Sequence, residues 1–203
     1  EGTYINLPAI FIIFIIGILL TLGMKESARF NAVLVVIKVG VILLFIAVGV
    51  FYVKPENWTP FLPFGMSGVF TGAALVFFAY LGFDAVSSAA EEVKNPQRNM
   101  PIGIIGSLFI CTLLYVVVSL VLTGIVPYSN LNVTDPVSFA MQVINQEWAA
   151  GIISLGAVIG MMTVILVMMY GGTRLLMAFA RDGLMPKIFS QLSPKRKTPV
   201  KNT

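Results

Sequence analysis

The sequence predicts an all-α polytopic membrane protein with five membrane helices, the third of them discontinuous. Three observations predict it. The 203 residues are 58% hydrophobic and only 11% charged, whereas a soluble domain has about 45–50% apolar and about 25% charged residues. Mean hydropathy is +0.93. The apolar residues fall in non-alternating runs of roughly 20, the length that a bilayer crossing requires.

The expected spans cover about 7–24, 31–53, 66–90, 102–126 and 149–178, and 179–203 reads as a cytoplasmic loop. The first run carries no charge. The second has Lys38 as its one charged residue. The third contains Phe77-Phe78-Ala79-Tyr80-Leu81-Gly82-Phe83-Asp84, where a glycine and an acid break the apolar character. The fourth is expected to open at Pro101, where a missing N–H costs nothing. The fifth carries Met161, Met162, Met168 and Met169, with Thr163 among them.

Charge sets the topology. The 25–29 loop, the 94–98 loop and everything from Arg174 onward hold eleven of the thirteen basic residues. Lys54 alone lies on the opposite side. The positive-inside rule then puts the N-terminus of the chain outside and its C-terminus in the cytoplasm. It also explains the net charge of +4 without nucleic acid. Trp58 and Trp148 suit the headgroup region. Asn57-Trp58-Thr59 and Asn132-Val133-Thr134 match the N-glycosylation pattern, which is short and carries little weight. Glu1-Gly2-Thr3-Tyr4 has no basic n-region. The chain is therefore expected to be a piece of a longer protein rather than to start with a signal peptide.

Several functions are excluded. With no histidine and the single Cys111, no internal disulfide, zinc centre, haem site or Ser–His–Asp triad can form. No metal or cofactor is expected. An intramembrane aspartyl protease needs paired carboxylates, and Asp84 is the one acid inside an expected span. No filter repeat or charged ring suggests a channel. The protein is expected not to be an enzyme.

Two features carry chemistry. Lys38 stands about seven residues into its expected span. An intramembrane charge marks a functional candidate, but a long stem can also snorkel to the interface. Its helical neighbours Leu34, Val35, Val41 and Ile42 are apolar, so any partner must come from another helix. A lysine held in a low dielectric gives up its proton more readily than one in water. The second feature is the Gly82–Asp84 region. Transporters place substrate at interrupted helices, yet an unbroken helix with a packing glycine fits the residues equally well. Ser87 and Ser88 make the segment after it polar. The methionines of the fifth run suit lipid, packing or an adaptable pocket.

Two loop motifs are more specific. Glu91-Glu92-Val93-Lys94-Asn95-Pro96-Gln97-Arg98-Asn99-Met100-Pro101 and Ala180-Arg181-Asp182-Gly183-Leu184-Met185-Pro186 resemble signatures of the amino acid–polyamine–organocation superfamily. The likeness covers essentially the whole chain. It points to the cationic amino-acid transporter branch and, within it, to bacterial ApcT-like proton-coupled transporters. The resemblance implies a LeuT-like fold of two inverted five-helix repeats, of which this chain would supply the fourth to eighth helices. It implies proton-coupled symport of an L-amino acid by alternating access in the plasma (inner) membrane. Lys38 would be the proton-coupling group, standing where sodium-coupled relatives hold an ion, and Asp84 would sit near the proton route. Phe77, Phe78, Ala79, Leu81 and Gly82 would form the broken segment whose carbonyls hold the substrate ammonium, with Phe78 as a lid. Met168 would line the side-chain pocket, and Thr163 would face Lys38. The partners implied are the amino acid, protons, the bilayer, the remaining helices and, unspecified, any accessory membrane subunit. The first helix of the fold, which binds the substrate carboxylate, is not in this sequence. The visible lining is aromatic and apolar, which favours small neutral substrates such as alanine. Exchange of cationic amino acids and a truncated scaffold without transport remain as alternatives.

Overall fold

In a bilayer the backbone satisfies its N–H and C=O groups only within itself, so long apolar runs fold as helices. The computed structural model describes residues 7–22, 24–80, 82, 93–191 and 193. Among them are α1 Leu7–Leu22, α2 Met24–Gly49, α3 Gly65–Phe77, α4 Pro96–Ile125, α5 Pro136–Val143 and α6 Glu147–Arg181, with short 3-10 turns between. No strand occurs among the described residues. Among the described residues, three stretches are long and apolar enough to cross a membrane: Arg29–Tyr52, Pro96–Ile125 and Glu147–Arg181. Ala9–Thr21 and Gly65–Tyr80 are shorter apolar helices. Large apolar side chains such as Phe11, Val36, Ile105 and Phe109 stand open on these helices. A soluble monomer rarely exposes so much apolar surface, whereas a bilayer accommodates it. This is a multi-pass membrane protein.

The helix ends differ from the expected ones in informative ways. α2 starts at Met24 rather than near 31, because Met, Lys, Glu, Ala and Arg are good helix formers and charge alone does not end a helix. The basic residues Lys25 and Arg29 thus belong to a helix, not a loop. α4 starts at Pro96, which leaves Pro101 inside the helix rather than at its first turn. There proline removes one backbone bond and crowds the preceding turn. α5, a helix of eight residues, was not expected at all. Of the third span expected over 66–90, residue 81 and residues 83–90 lie outside the described residues.

Both loop motifs turn out to be helix-boundary devices. Asn95 adopts φ 50°, a conformation asparagine tolerates better than most residues. Its carbonyl accepts from the N–H groups of Arg98 and Asn99, which opens α4. At the other end, Gly183 has φ +80°. Its N–H donates to Ala180 O at 3.4 Å, and Leu184 N–H donates to Phe179 O at 2.9 Å. These are the paired bonds of a Schellman stop with glycine at C′ and proline soon after.

The chain forms two compact units. The first comprises Glu1–Val35, Gly82–Met100 and Gly160–Thr203, and the second Val36–Leu81 and Pro101–Ile159. In the first unit Ile16 and Leu20 of α1 are buried with Leu166 of α6. In the second, Phe45 of α2, Val121 and Ile125 of α4, Ala140 and Met141 of α5, and Ala149, Ala150 and Ile153 of α6 form the core. The segment after α2 closes the end of α4. Lys54 N–H donates to Gly124 O at 2.9 Å, and Asn57 Nδ2 donates to the same oxygen at 2.7 Å. Trp58 Nε1 donates to Leu120 O at 3.2 Å. The asparagine of one glycosylation-like triplet therefore serves as a helix cap.

Asp135 anchors α5. Its Oδ1 accepts from Ser138 N–H at 3.3 Å, and its Oδ2 accepts from Ser154 Oγ of α6 at 3.1 Å. Pro136 follows at the first helical position, where its fixed φ suits a helix start. Asp135→Ala should cost about 1–2 kcal/mol, the loss of an N-cap. It should lower the melting temperature of the purified protein by several degrees. Asp135→Asn, which keeps an acceptor for Ser138, should lower it less.

Candidate functional site: the break at the end of α3 and a mid-span lysine

α3 breaks where the sequence suggested. Its α-helical bonding ends at Phe77, and Phe78–Tyr80 continue as a 3-10 turn. Phe78 N–H donates to Leu75 O. Gly82 then takes φ +132°, which only glycine adopts without strain. The packing-glycine alternative, a continuous helix through this point, is thereby set aside.

The turn is held from α4. Tyr115 OH donates to Ala79 O at 3.3 Å. Tyr80 OH and Thr112 Oγ1 lie 3.0 Å apart. The two tyrosine rings meet edge to face at 5.3 Å, a favoured aromatic arrangement. Thr112 and Tyr115 are three residues apart and so share one helix face. One carbonyl at the break thus already has a donor, although a carbonyl can accept twice. Phe77 and Phe78 are in edge contact, centroids 6.1 Å apart. Phe78 is 66% exposed.

Lys38 is half-buried on α2. It is the ninth residue after Arg29 in the span Arg29–Tyr52, or about 13 Å along the helix. That is close to the middle of a hydrocarbon core about 30 Å thick. The sequence reading placed it about seven residues into a span expected from about 31. Leu34, Phe45 and Gly49 are buried. With Lys38 and Val41 they form one stripe at helical spacing, while Val33, Val36 and Leu43 stand outward. Lys38 therefore falls on the packed face of α2. Among the described residues no carboxylate pairs with it.

Lys38, Phe77, Phe78 and Ala79 belong to the second unit, and Gly82, Thr163 and Met168 to the first. Thr163 is 3% exposed and donates to Gly160 O of its own helix at 2.6 Å. Met168 is 42% exposed. Leu81 and Asp84 lie outside the described residues.

A family comparison now bears on this geometry. The model of the amino acid permease family matches residues 3–202. The chain belongs to the amino acid permease family. It is 59% identical to a methylthioribose transporter of Bacillus subtilis, over 100% of this chain and 44% of the relative. It is 57% identical to the branched-chain amino acid permease BcaP of the same organism, over 98% of this chain and 43% of the relative. The chloroplastic cationic amino acid transporter 9 of Arabidopsis thaliana is 44% identical over 94% of this chain and 33% of its own length. The permease chain thus spans less than half the length of these relatives.

Arg174 of the permease chain, like Lys25 and Arg29, was counted with the basic loop side although a helix carries it. Arg174 lies inside α6 and is 6% exposed, not part of a loop. Its guanidinium stands 4.7 Å from the Tyr170 ring centroid, a cation–π distance. The signal was present in the sequence, since Arg174 falls within the expected span 149–178. Thr112 and Tyr115 had no such signal, because their role depends on where α3 breaks.

Proposed function

We propose that this chain forms the fourth to eighth helices of a longer proton-coupled amino-acid symporter with a LeuT-like inverted-repeat fold. It works by alternating access in the plasma membrane, with the N-terminus of the chain outside and its C-terminus in the cytoplasm. The single observation that carries the proposal is the break of α3 at Phe77–Gly82 in a chain of the permease family. A break at membrane depth leaves backbone carbonyls to take a substrate ammonium. Phe77, Phe78, Ala79, Leu81 and Gly82 contribute this surface, with Met168 and Thr163 on the eighth helix. Lys38 carries the proton, and Asp84 stands near its route.

The cargo is a small neutral L-amino acid such as alanine. The residues around the break are aromatic and apolar, with no carboxylate before Asp84. A second reading, a larger apolar side chain, is favoured by the relatives at 59% and 57% identity, whose names specify methylthioribose and branched-chain amino acids.

The test is uptake of radiolabelled alanine by the complete transporter in proteoliposomes. An inward proton gradient without sodium should drive accumulation. A requirement for sodium would overturn proton coupling. Competition by unlabelled amino acids decides the cargo. Strong competition by alanine supports the first reading, strong competition by isoleucine alone supports the second, and stronger competition by lysine than by either overturns both.

A further inference from the structure

At the membrane end that carries Trp58, a cavity of about 410 Å³ opens between the end of α2 and the end of α5. Its lining divides by chemistry. Val53, Ile125 and Ile144 give it an apolar wall, and Tyr52, Lys54 and Asn145 give it a polar one. No carboxylate lines it.

The polar residues are anchored, two through their backbone and one through its hydroxyl. Lys54 is fixed through its backbone N–H, which bonds Gly124 O, while its side chain is exposed and forms no ion pair among the described residues. Asn145 is locked at φ 58° by its own N–H bond to Gln142 O at 2.9 Å. Tyr52 OH accepts from Gln146 Nε2 at 3.0 Å. Gln146 is in turn fixed, because its Oε1 accepts from Trp148 Nε1 at 2.8 Å. A phenol that accepts one bond keeps its own proton to donate. Lys54, Asn145 and Tyr52, whose side chains end in an ammonium, an amide and a phenol, thus line one cavity, and donors of these kinds suit a phosphate.

We propose that this cavity binds the phosphate of an anionic phospholipid, with the glycerol and first acyl carbons against Val53, Ile125 and Ile144. Two observations select a lipid over a soluble anion. The apolar wall would gain nothing from inorganic phosphate. The cavity also begins at Phe51 and Tyr52, at the last turn of the span Arg29–Tyr52, where headgroups lie. Interfacial tyrosine and tryptophan mark that depth. The net positive lining favours an anionic headgroup over a zwitterionic one.

The complete protein would be purified, stripped of lipid and titrated with dioleoylphosphatidylglycerol, dioleoylphosphatidylcholine or sn-glycerol 3-phosphate. Native mass spectrometry would report retained lipid, and thermal melting would report stabilisation. Phosphatidylglycerol should be retained and should raise the melting temperature more than phosphatidylcholine. Lys54→Ala should weaken its binding by about fivefold, the contribution of one basic residue at a membrane surface. Lys54→Arg should bind as the parent does. Unchanged affinity in Lys54→Ala, or equal retention of both lipids, would overturn the proposal. So would binding of sn-glycerol 3-phosphate as tight as that of phosphatidylglycerol, which would mean a soluble-anion site. Alanine uptake should be the same in the Lys54 variants and the parent, which separates this site from the transport route.

Discussion

Lys38→Ala should abolish concentrative uptake while leaving the protein folded. One proton moving down a gradient of one pH unit is worth about 1.4 kcal/mol, which supports roughly tenfold accumulation of a co-transported neutral amino acid. The parent should approach that ratio in proteoliposomes, and Lys38→Ala should stay near one. The expectation rests on the place of Lys38 in α2. It stands near mid-span, too deep for easy snorkelling, which serves residues near helix ends. It also sits on the packed stripe with Leu34, Val41 and Phe45 rather than among the outward residues Val33 and Val36. Lys38→Arg separates charge from proton exchange, because arginine keeps its proton in proteins. It should fold at least as well as Lys38→Ala and still fail to accumulate alanine. If Lys38→Ala concentrates alanine, Lys38 is a structural charge and Asp84 becomes the next candidate.

Much of this arrangement was legible in the sequence, for physical reasons. Helices follow from apolar length, since a bilayer allows no other open-chain solution. The break in α3 was one of two readings, and Gly82 at φ +132° decides between them. The two loop motifs pointed to the family before their mechanics were visible. Their asparagine, prolines and glycine turn out to start α4 and to stop α6. What escaped the sequence depended on register between elements. Tyr115 reaches Ala79 O only because α3 has already stopped being helical. Arg174 was summed with the basic loop residues although the expected span 149–178 already held it, and α6 runs on past it to Arg181. α5 was missed because eight residues give too little periodicity, although Asp135-Pro136 is an N-terminal signal in its own right.

Gly156→Val should damage the second unit strongly, with a loss of about 1–3 kcal/mol from overpacking. A Cβ at Gly156 of α6 would meet Val41 Cγ1 at 2.7 Å, Cγ2 at 2.9 Å and Cβ at 3.0 Å. Those atoms belong to a β-branched side chain, which cannot swing clear because χ1 is stiff in a helix. The backbones of α2 and α6 must separate instead. Small residues let membrane helices approach in this way, and close packing is a main source of their association. Even Gly156→Ala should therefore destabilise, although alanine is the better helix former by about 1 kcal/mol. Gly151→Ala is the control. It lies on the same helix with nothing within 4 Å of its added Cβ, so its melting temperature should hold or rise. Pairing Gly156→Ala with Val41→Ala should recover most of the lost stability, and the non-additivity would measure the contact directly. Val41 is three residues from Lys38 on the same stripe, so the single variant should also lower uptake beyond its loss of folded protein, and the double variant should restore both. If Gly156→Ala melts with the parent, the close approach of α2 and α6 is wrong, and with it the packed stripe on which the placement of Lys38 depends.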